Sequence, residues 1–497
     1  MEKRMTFKGV NAKKPFAWEE LNQFGKIAYI GSWNDGFSDR RAYREIVDHP
    51  LYRHIMEFVD LYQDMDKIIL EKYCGVVIPG MVDEVYLHRY VNKIRAYLDN
   101  GGVVISFMQN FTGILPNNTG YVASPVSIKD REVHFAEGES SNCIFDGVRE
   151  YDMNYRRGVK GFFNRGYFEL DSFGENNKPE VLLEDSEGKC VAYVDRASTN
   201  GIILAAAATD LLGFGTFENN TARRMGPNLL EWLTAELQKK DYHTLRKERK
   251  FVNDEIDTEV VFDYGDGQKR TGGLKNAIIT GGMAFHQKFF KNKNGKYANF
   301  FTRRVYAPDM GDFKFADYDY VVLASNLNAR FLVPYKEEML EYLQNGGHIV
   351  SLGDSMEEYL PNIKWRSYPT NFWWWRIEGA DMPLYAVESL DGGKTFVKQS
   401  KSTKEGLFSK INVSVAKWHC HGAFYPPVQS ESILVNELDE AIIYKDLSFP
   451  GNLYVMSLDP DYHFGQGFMP TTEPFFDALM EWVEEDILSK QKKCDRH

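Results

Sequence analysis

The segment Asn100-Gly101-Gly102-Val103-Val104-Ile105-Ser106 returns 245 residues later as Asn345-Gly346-Gly347-His348-Ile349-Val350-Ser351. The same offset, without a gap, carries Leu115-Pro116-Asn117 onto Leu360-Pro361-Asn362. A repeat of this length means two copies of one domain, not a solenoid of small units. An amphipathic helix precedes the glycine pair in each copy. Its apolar residues fall at helical spacing: Tyr90, Ile94, Tyr97 and Leu98 in copy one, and Tyr335, Met339, Tyr342 and Leu343 in copy two. The glycines end that helix, because glycine accepts the left-handed C-cap conformation. The strand that follows is nearly all apolar, as expected where helices cover both faces.

The remaining elements correspond as well. Copy one opens with the short strand Lys26-Ile27-Ala28-Tyr29-Ile30-Gly31, and copy two with Asn276-Ala277-Ile278-Ile279-Thr280-Gly281-Gly282. A second strand follows in each, Gly75–Pro79 and Tyr320–Ala324. Val159–Phe168 matches Val415–Phe424, and Gly201–Ala206 matches Gly451–Met456. Each copy closes on a helix, with Trp232 and Trp482 in equivalent places. Strands alternating with helices predict a parallel, doubly wound sheet. The expected fold class is α/β, with two tandem flavodoxin-like domains related by internal duplication. The expected boundaries are an N-terminal arm at 1–24, copy one at 25–240, a linker at 241–271, copy two at 272–490 and a tail at 491–497.

The net charge is -12. General binding to nucleic acid or to an anionic membrane needs a basic surface, so neither partner is expected. Five cysteines, Cys74, Cys143, Cys190, Cys420 and Cys494, are scattered without metal-site or disulfide spacing. With no apolar leader or spanning run, the expected location is the cytoplasm.

The helix, Gly-Gly turn, buried strand and sharp exit together resemble the class I glutamine amidotransferase-like superfamily. Its trehalose-utilisation-type branch is the nearest match, and the resemblance covers both copies. In active members a Cys at the strand exit attacks the glutamine amide, and a His-Pro-Glu after the last core strand supplies its base. This chain departs from that pattern at each position. The exits read Phe107-Met108-Gln109-Asn110 and Leu352-Gly353-Asp354-Ser355, with no Cys. The His-Pro-Glu place reads Ala208-Thr209-Asp210 in copy one and Asp459-Pro460-Asp461 in copy two. Thiol-dependent glutamine hydrolysis is therefore not expected. Ser355 as a substitute nucleophile would lack a base, because an Asp in the His position is a poor one.

Copy two keeps polar groups that copy one lacks. In Trp418-His419-Cys420-His421-Gly422, a strand would turn His419 and His421 to one face and Cys420 to the other. His463 lies in the loop after the last core strand. Ligands in open α/β folds gather at the carboxyl ends of the strands, so Asp354, His419, His421, Asp459, Asp461 and His463 could converge there. His419, His421, Asp354 and Asp459 are the catalytic candidates, and His419 and His421 the candidate metal ligands. Asp461 and His463 are candidate ligand contacts. So are Trp374 and Arg376 in Asn371-Phe372-Trp373-Trp374-Trp375-Arg376, since Trp stacks on sugar rings and Arg pairs with anions. Three readings of the histidines stay open: a structural hydrogen-bond network, a metal-free polar pocket and, weakest, a divalent metal site.

Two functions remain in view. One is a non-catalytic tandem protein that binds a small polar or sugar-like ligand or serves as an assembly subunit, with a protein partner or a second copy. The alternative is a hydrolase-type enzyme acting on a sugar-like or amide substrate from copy two.

Overall fold

The computed structural model describes residues 18–32, 52–118, 120–127, 130–136, 143–156, 159–160, 163–207, 210–216, 220–239, 265–266, 273–353, 355, 357–372, 383–390, 395–418, 420–467 and 469–494. These fall into two compact units, 18–239 and 265–494. Both are α/β, each built on a mixed sheet with a parallel, doubly wound core.

In unit one the parallel strands lie in the order Met56–Asp60, Ile27–Gly31, Gly75–Ile78, Val103–Ser106, Ile202–Ala206. In unit two the order is Arg303–Tyr306, Asn276–Thr280, Tyr320–Leu323, His348–Ser351, Leu453–Met456. Numbered along the chain, each is 2-1-3-4-5, the flavodoxin order. The sequence pattern marks four of these five strands in each unit and passes over Met56–Asp60 and Arg303–Tyr306. Both run along the outside of the parallel core and carry charged residues, Glu57 and Asp60 in one and Arg303 and Arg304 in the other, so they lack the continuous apolar run of the central strands.

Each sheet then turns antiparallel. Cys190–Asp195, Glu180–Asp185 and Val133–Phe135 extend unit one beyond Ile202–Ala206. Ala441–Asp446, Ser430–Val435, Tyr385–Leu390 and Thr395–Gln399 extend unit two beyond Leu453–Met456. The expectation of a parallel sheet thus holds for the core and not for this flank, whose hairpin connections impose the opposite direction.

Burial explains the apolar strands. In Val103–Ser106 every residue is buried; Val103 and Ile105 pack into one apolar cluster and Val104 into another across the sheet. The glycine pairs behave as the sequence predicts. Gly101 (φ +85°) and Gly346 (φ +89°) follow the helices Val91–Asp99 and Lys336–Gln344 in left-handed conformation. The amides of Gly102 and Gly347 return to the carbonyls of Tyr97 (2.7 Å) and Tyr342 (2.9 Å). The rings of those tyrosines lie over Gly102 and Gly347, and their hydroxyls donate to the carbonyls of Tyr73 (3.1 Å) and Tyr318 (2.8 Å). Asn117 and Asn362 of the two Leu-Pro-Asn turns are both left-handed, at φ 55° and 60°. Each carboxamide reaches a neighbouring element, Ser198 Oγ (2.7 Å) and Asp446 Oδ2 (3.0 Å) respectively.

Among the described residues no helix is long and apolar enough to cross a membrane.

Candidate functional site

The carboxyl ends of three neighbouring strands in unit two deliver a buried polar cluster. Tyr320–Leu323 runs out into Ser325, His348–Ser351 into Gly353 and Ser355, and Leu453–Met456 into Asp459 and the helix Pro460–Gln466. Pro460 occupies the first turn of that helix, where its missing N–H costs nothing, and Asp459 is the N-cap residue. A Cβ on Gly353 would stand 2.9 Å from Ser325 Cβ and 3.7 Å from Asp459 Cβ, so three strand exits meet there.

Asp459, Asp461 and His463 all sit within this cluster, exposed by 0%, 1% and 2%. The Trp418 indole Nε1 donates to Asp459 Oδ1 (3.1 Å), and His463 Nε2 lies 3.4 Å from the same oxygen. Asp461 Oδ2 accepts from the Ser325 amide at 2.9 Å. His286, on the helix after the first strand of the unit, approaches the Ser325 carbonyl through Nε2 at 2.8 Å. Asp461 and His286 therefore hold Ser325 from both sides of its peptide groups. Ser355 is buried as well, its Oγ 2.6 Å from Ser351 Oγ. Its partner is another hydroxyl, which is no base.

Burial pushes the Asp461 carboxyl up to about 6, held back in part by hydrogen bonds from Ser325 and from the amides of residues 461 and 462. Burial lowers His286 to about 4, against the pull of the Ser325 carbonyl. His348, at the opposite end of its strand, is lowered to about 4 by burial and then by Lys490. These shifts act in opposite directions. Between pH 3.8 and about 6 the folded chain keeps a proton on Asp461 that the unfolded chain has lost, so that stability is present at low pH and lost as pH rises. For the histidines, lowered from 6.5, the unfolded chain binds the extra protons, so stability rises with pH from about 4 to 6.5. Asp461→Asn removes the first contribution alone. Its stability relative to wild type should improve by roughly 3 kcal/mol between pH 4 and pH 7. Denaturant melts across that range check this, and parallel curves would mean that Asp461 is ionised throughout.

Of the sequence candidates, Asp354, His419, Trp374 and Arg376 lie outside the described residues. The backbone of His421 is part of the strand Cys420–Phe424. Cys420 is fully buried in the apolar core of unit two. Among the described residues no group of three or more His, Cys, Asp and Glu side chains is arranged to hold a metal ion. Sequence reasoning passed over Trp418, Ser325 and His286. Ser325 could have been found as the second residue beyond an apolar strand, since such exits define the ligand edge. Trp418 and His286 carry no such signal.

Unit one is built differently at the matching edge. Glu84, fully buried, points its carboxylate at the exit of Val103–Ser106. Its Oε1 accepts from the amides of Gln109 (2.9 Å) and Asn110 (3.1 Å), and Oε2 from that of Phe111 (2.9 Å). Asn164 and Asp210 make local bonds: Asn164 Oδ1 accepts from the Gly166 amide (3.1 Å), and Asp210 Oδ1 from that of Gly213 (2.8 Å).

No family model matches the chain, and no curated protein matches it. Solved structures overlap weakly. A protein described as a GMP synthase component from Thermoplasma acidophilum gives a TM-score of 0.27 at 12% identity, over 45% of this chain and 98% of its own. A glutamine amidotransferase from Thermotoga maritima gives 0.25 at 11%, over 45% and 93%. A β-galactosidase from Halorubrum lacusprofundi gives 0.22 at 9%, over 89% and 57%. Overlap this weak says nothing about what the chain does.

Proposed function

We propose that the chain is a tandem, internally duplicated amidotransferase-like protein without glutaminase chemistry, which binds a small polar or sugar-like ligand at the strand exits of unit two. The observation that carries this reading is the content of the two exits. Unit one presents three backbone amides already taken by Glu84, and unit two presents Ser355 bonded to Ser351. Neither exit contains a thiol. The duplication is supported by hydrogen bonds and left-handed residues that recur at the 245 offset, from Gly101 and Gly346 to Asn117 and Asn362. An assembly role, with a protein partner or a second copy, is compatible with the same lack of a thiol.

The second reading, a hydrolase acting on a sugar-like or amide substrate, draws on one feature. Asp461 carries its proton up to about pH 6 and shares the start of one short helix with Asp459 and His463, which lie 3.4 Å apart, so a proton donor and an acid–base pair occupy one strand exit.

One set of assays separates these. The purified chain should release no ammonia from glutamine, and Cys420→Ser should change nothing. A thermal-shift screen of sugars and small amides should find a ligand whose binding is weakened by His421→Ala and unaffected by Arg165→Ala. Turnover of any such ligand that is lost in Asp461→Asn would establish the hydrolase instead. Ammonia release abolished by Cys420→Ser would overturn both.

A further inference from the structure

Glu84 begins the helix Glu84–His88, directly after the N-cap Asp83, whose side chain accepts from the Tyr86 amide. Its carboxylate extends beyond that helix. It reaches the turn after Val103–Ser106 and accepts from three consecutive amides, Gln109, Asn110 and Phe111. These N–H groups converge because Asn110 is left-handed (φ 52°), and such a step folds successive amides into an anion-binding concavity. Gln109 and Asn110 are each 1% exposed and Phe111 is half-buried, so two of the three donors are shut off from water. Hydrogen bonds to a charged acceptor in such a place are short and strong. The carboxylate is particular to unit one. At the matching helix start of unit two, the N-cap Asn328 is followed by Ala329, 245 positions on from Glu84, with a methyl group in place of the acid.

We propose that the turn 109–111 is a built anion site for a carboxylate, filled in cis by Glu84, and that a free small carboxylate occupies it once Glu84 is removed. Two donors meet one oxygen and one meets the other, an arrangement that suits a planar two-oxygen anion and that a halide cannot satisfy. The enclosed space further selects for size. Glu84→Ala deletes one methylene and the carboxylate, a fragment the size of acetate. The proposal rests on the closed exit of unit one and not on the assignment of unit two, so either can fail without the other.

The test uses the full chain and sodium acetate as the probe, against sodium chloride at equal ionic strength. Glu84→Ala should melt roughly 5–10 °C below wild type. Acetate should raise that melting temperature with the logarithm of its concentration, while chloride does not. Wild type should respond equally to both salts. Glu84→Gln fills the space but turns an NH2 group toward an amide donor, so it should melt below wild type and gain nothing from acetate. Acetate acting no better than chloride on Glu84→Ala, or Glu84→Gln melting with wild type, would overturn the proposal. If Glu84→Ala does not stay soluble, its refolding yield in acetate against chloride gives the same comparison.

Discussion

Gly451→Ala should unfold unit two or cost it upward of about 3 kcal/mol, and Gly201→Ala should do the same to unit one. The reason is a close approach of backbone to backbone. A Cβ at Gly451 would stand 1.8 Å from the Gly347 carbonyl oxygen and 3.0 Å from that of Leu343. A Cβ at Gly201 would stand 2.1 Å from the Gly102 oxygen and 2.7 Å from that of Leu98. The obstacles are carbonyls of the helix-to-strand turn, which cannot rotate aside as a side chain would. Backing Gly451 away would also break the bond from its amide to the Leu343 carbonyl (2.8 Å). Gly311 is the control, because a Cβ there would meet nothing within 4 Å and alanine should be nearly neutral. Denaturant midpoints of the three variants decide the matter. A Gly451→Ala protein as stable as the Gly311→Ala control would mean that the last core strand does not pack this closely on the turn.

Asp486→Ala should cost unit two about 2–4 kcal/mol. Asp486 projects from the closing helix Thr472–Cys494. Its Oδ2 accepts from Tyr454 Oη (2.7 Å) and Asn452 Nδ2 (3.0 Å), and Lys445 Nζ lies 3.2 Å away. Tyr454 and Asn452 are 0% and 2% exposed, so removing the carboxylate leaves their donors short of an acceptor in a place water does not reach. Lys445 would keep Glu431 (2.9 Å) but lose the partner that ties its strand to the helix. Asp486→Asn, which keeps one acceptor oxygen, should recover part of the loss. Equal melting of wild type and Asp486→Ala would show that this network contributes nothing to docking the helix.

Much of the fold was legible because local chemistry repeats. An amphipathic helix, a left-handed glycine cap and a short buried strand can be read from spacing alone, and they occur twice. The antiparallel flanks were not legible. Glu180–Asp185 and Ser430–Val435 mix polar and apolar residues, and each pairs on one side with a neighbouring hairpin strand and on the other with a strand far along the chain. The candidate site was half legible. Asp459, Asp461 and His463 were found because they directly follow the last core strand. His286 and Trp418 enter from elements far along the chain, and Ser325 was overlooked although it too follows a core strand.

The sequence alone determined that two α/β domains of one kind lie in tandem and that neither strand exit carries a thiol. Those properties reside in residue type and local spacing. The tertiary structure decided which polar groups meet. It brought Glu84 onto the amides of 109–111 and set Trp418 against Asp459, and it sealed Asp461 away from water so that its carboxyl holds a proton to about pH 6. Such contacts depend on how strands and loops distant in sequence are stacked side by side, and burial, which sets their strength, exists only once the chain has folded.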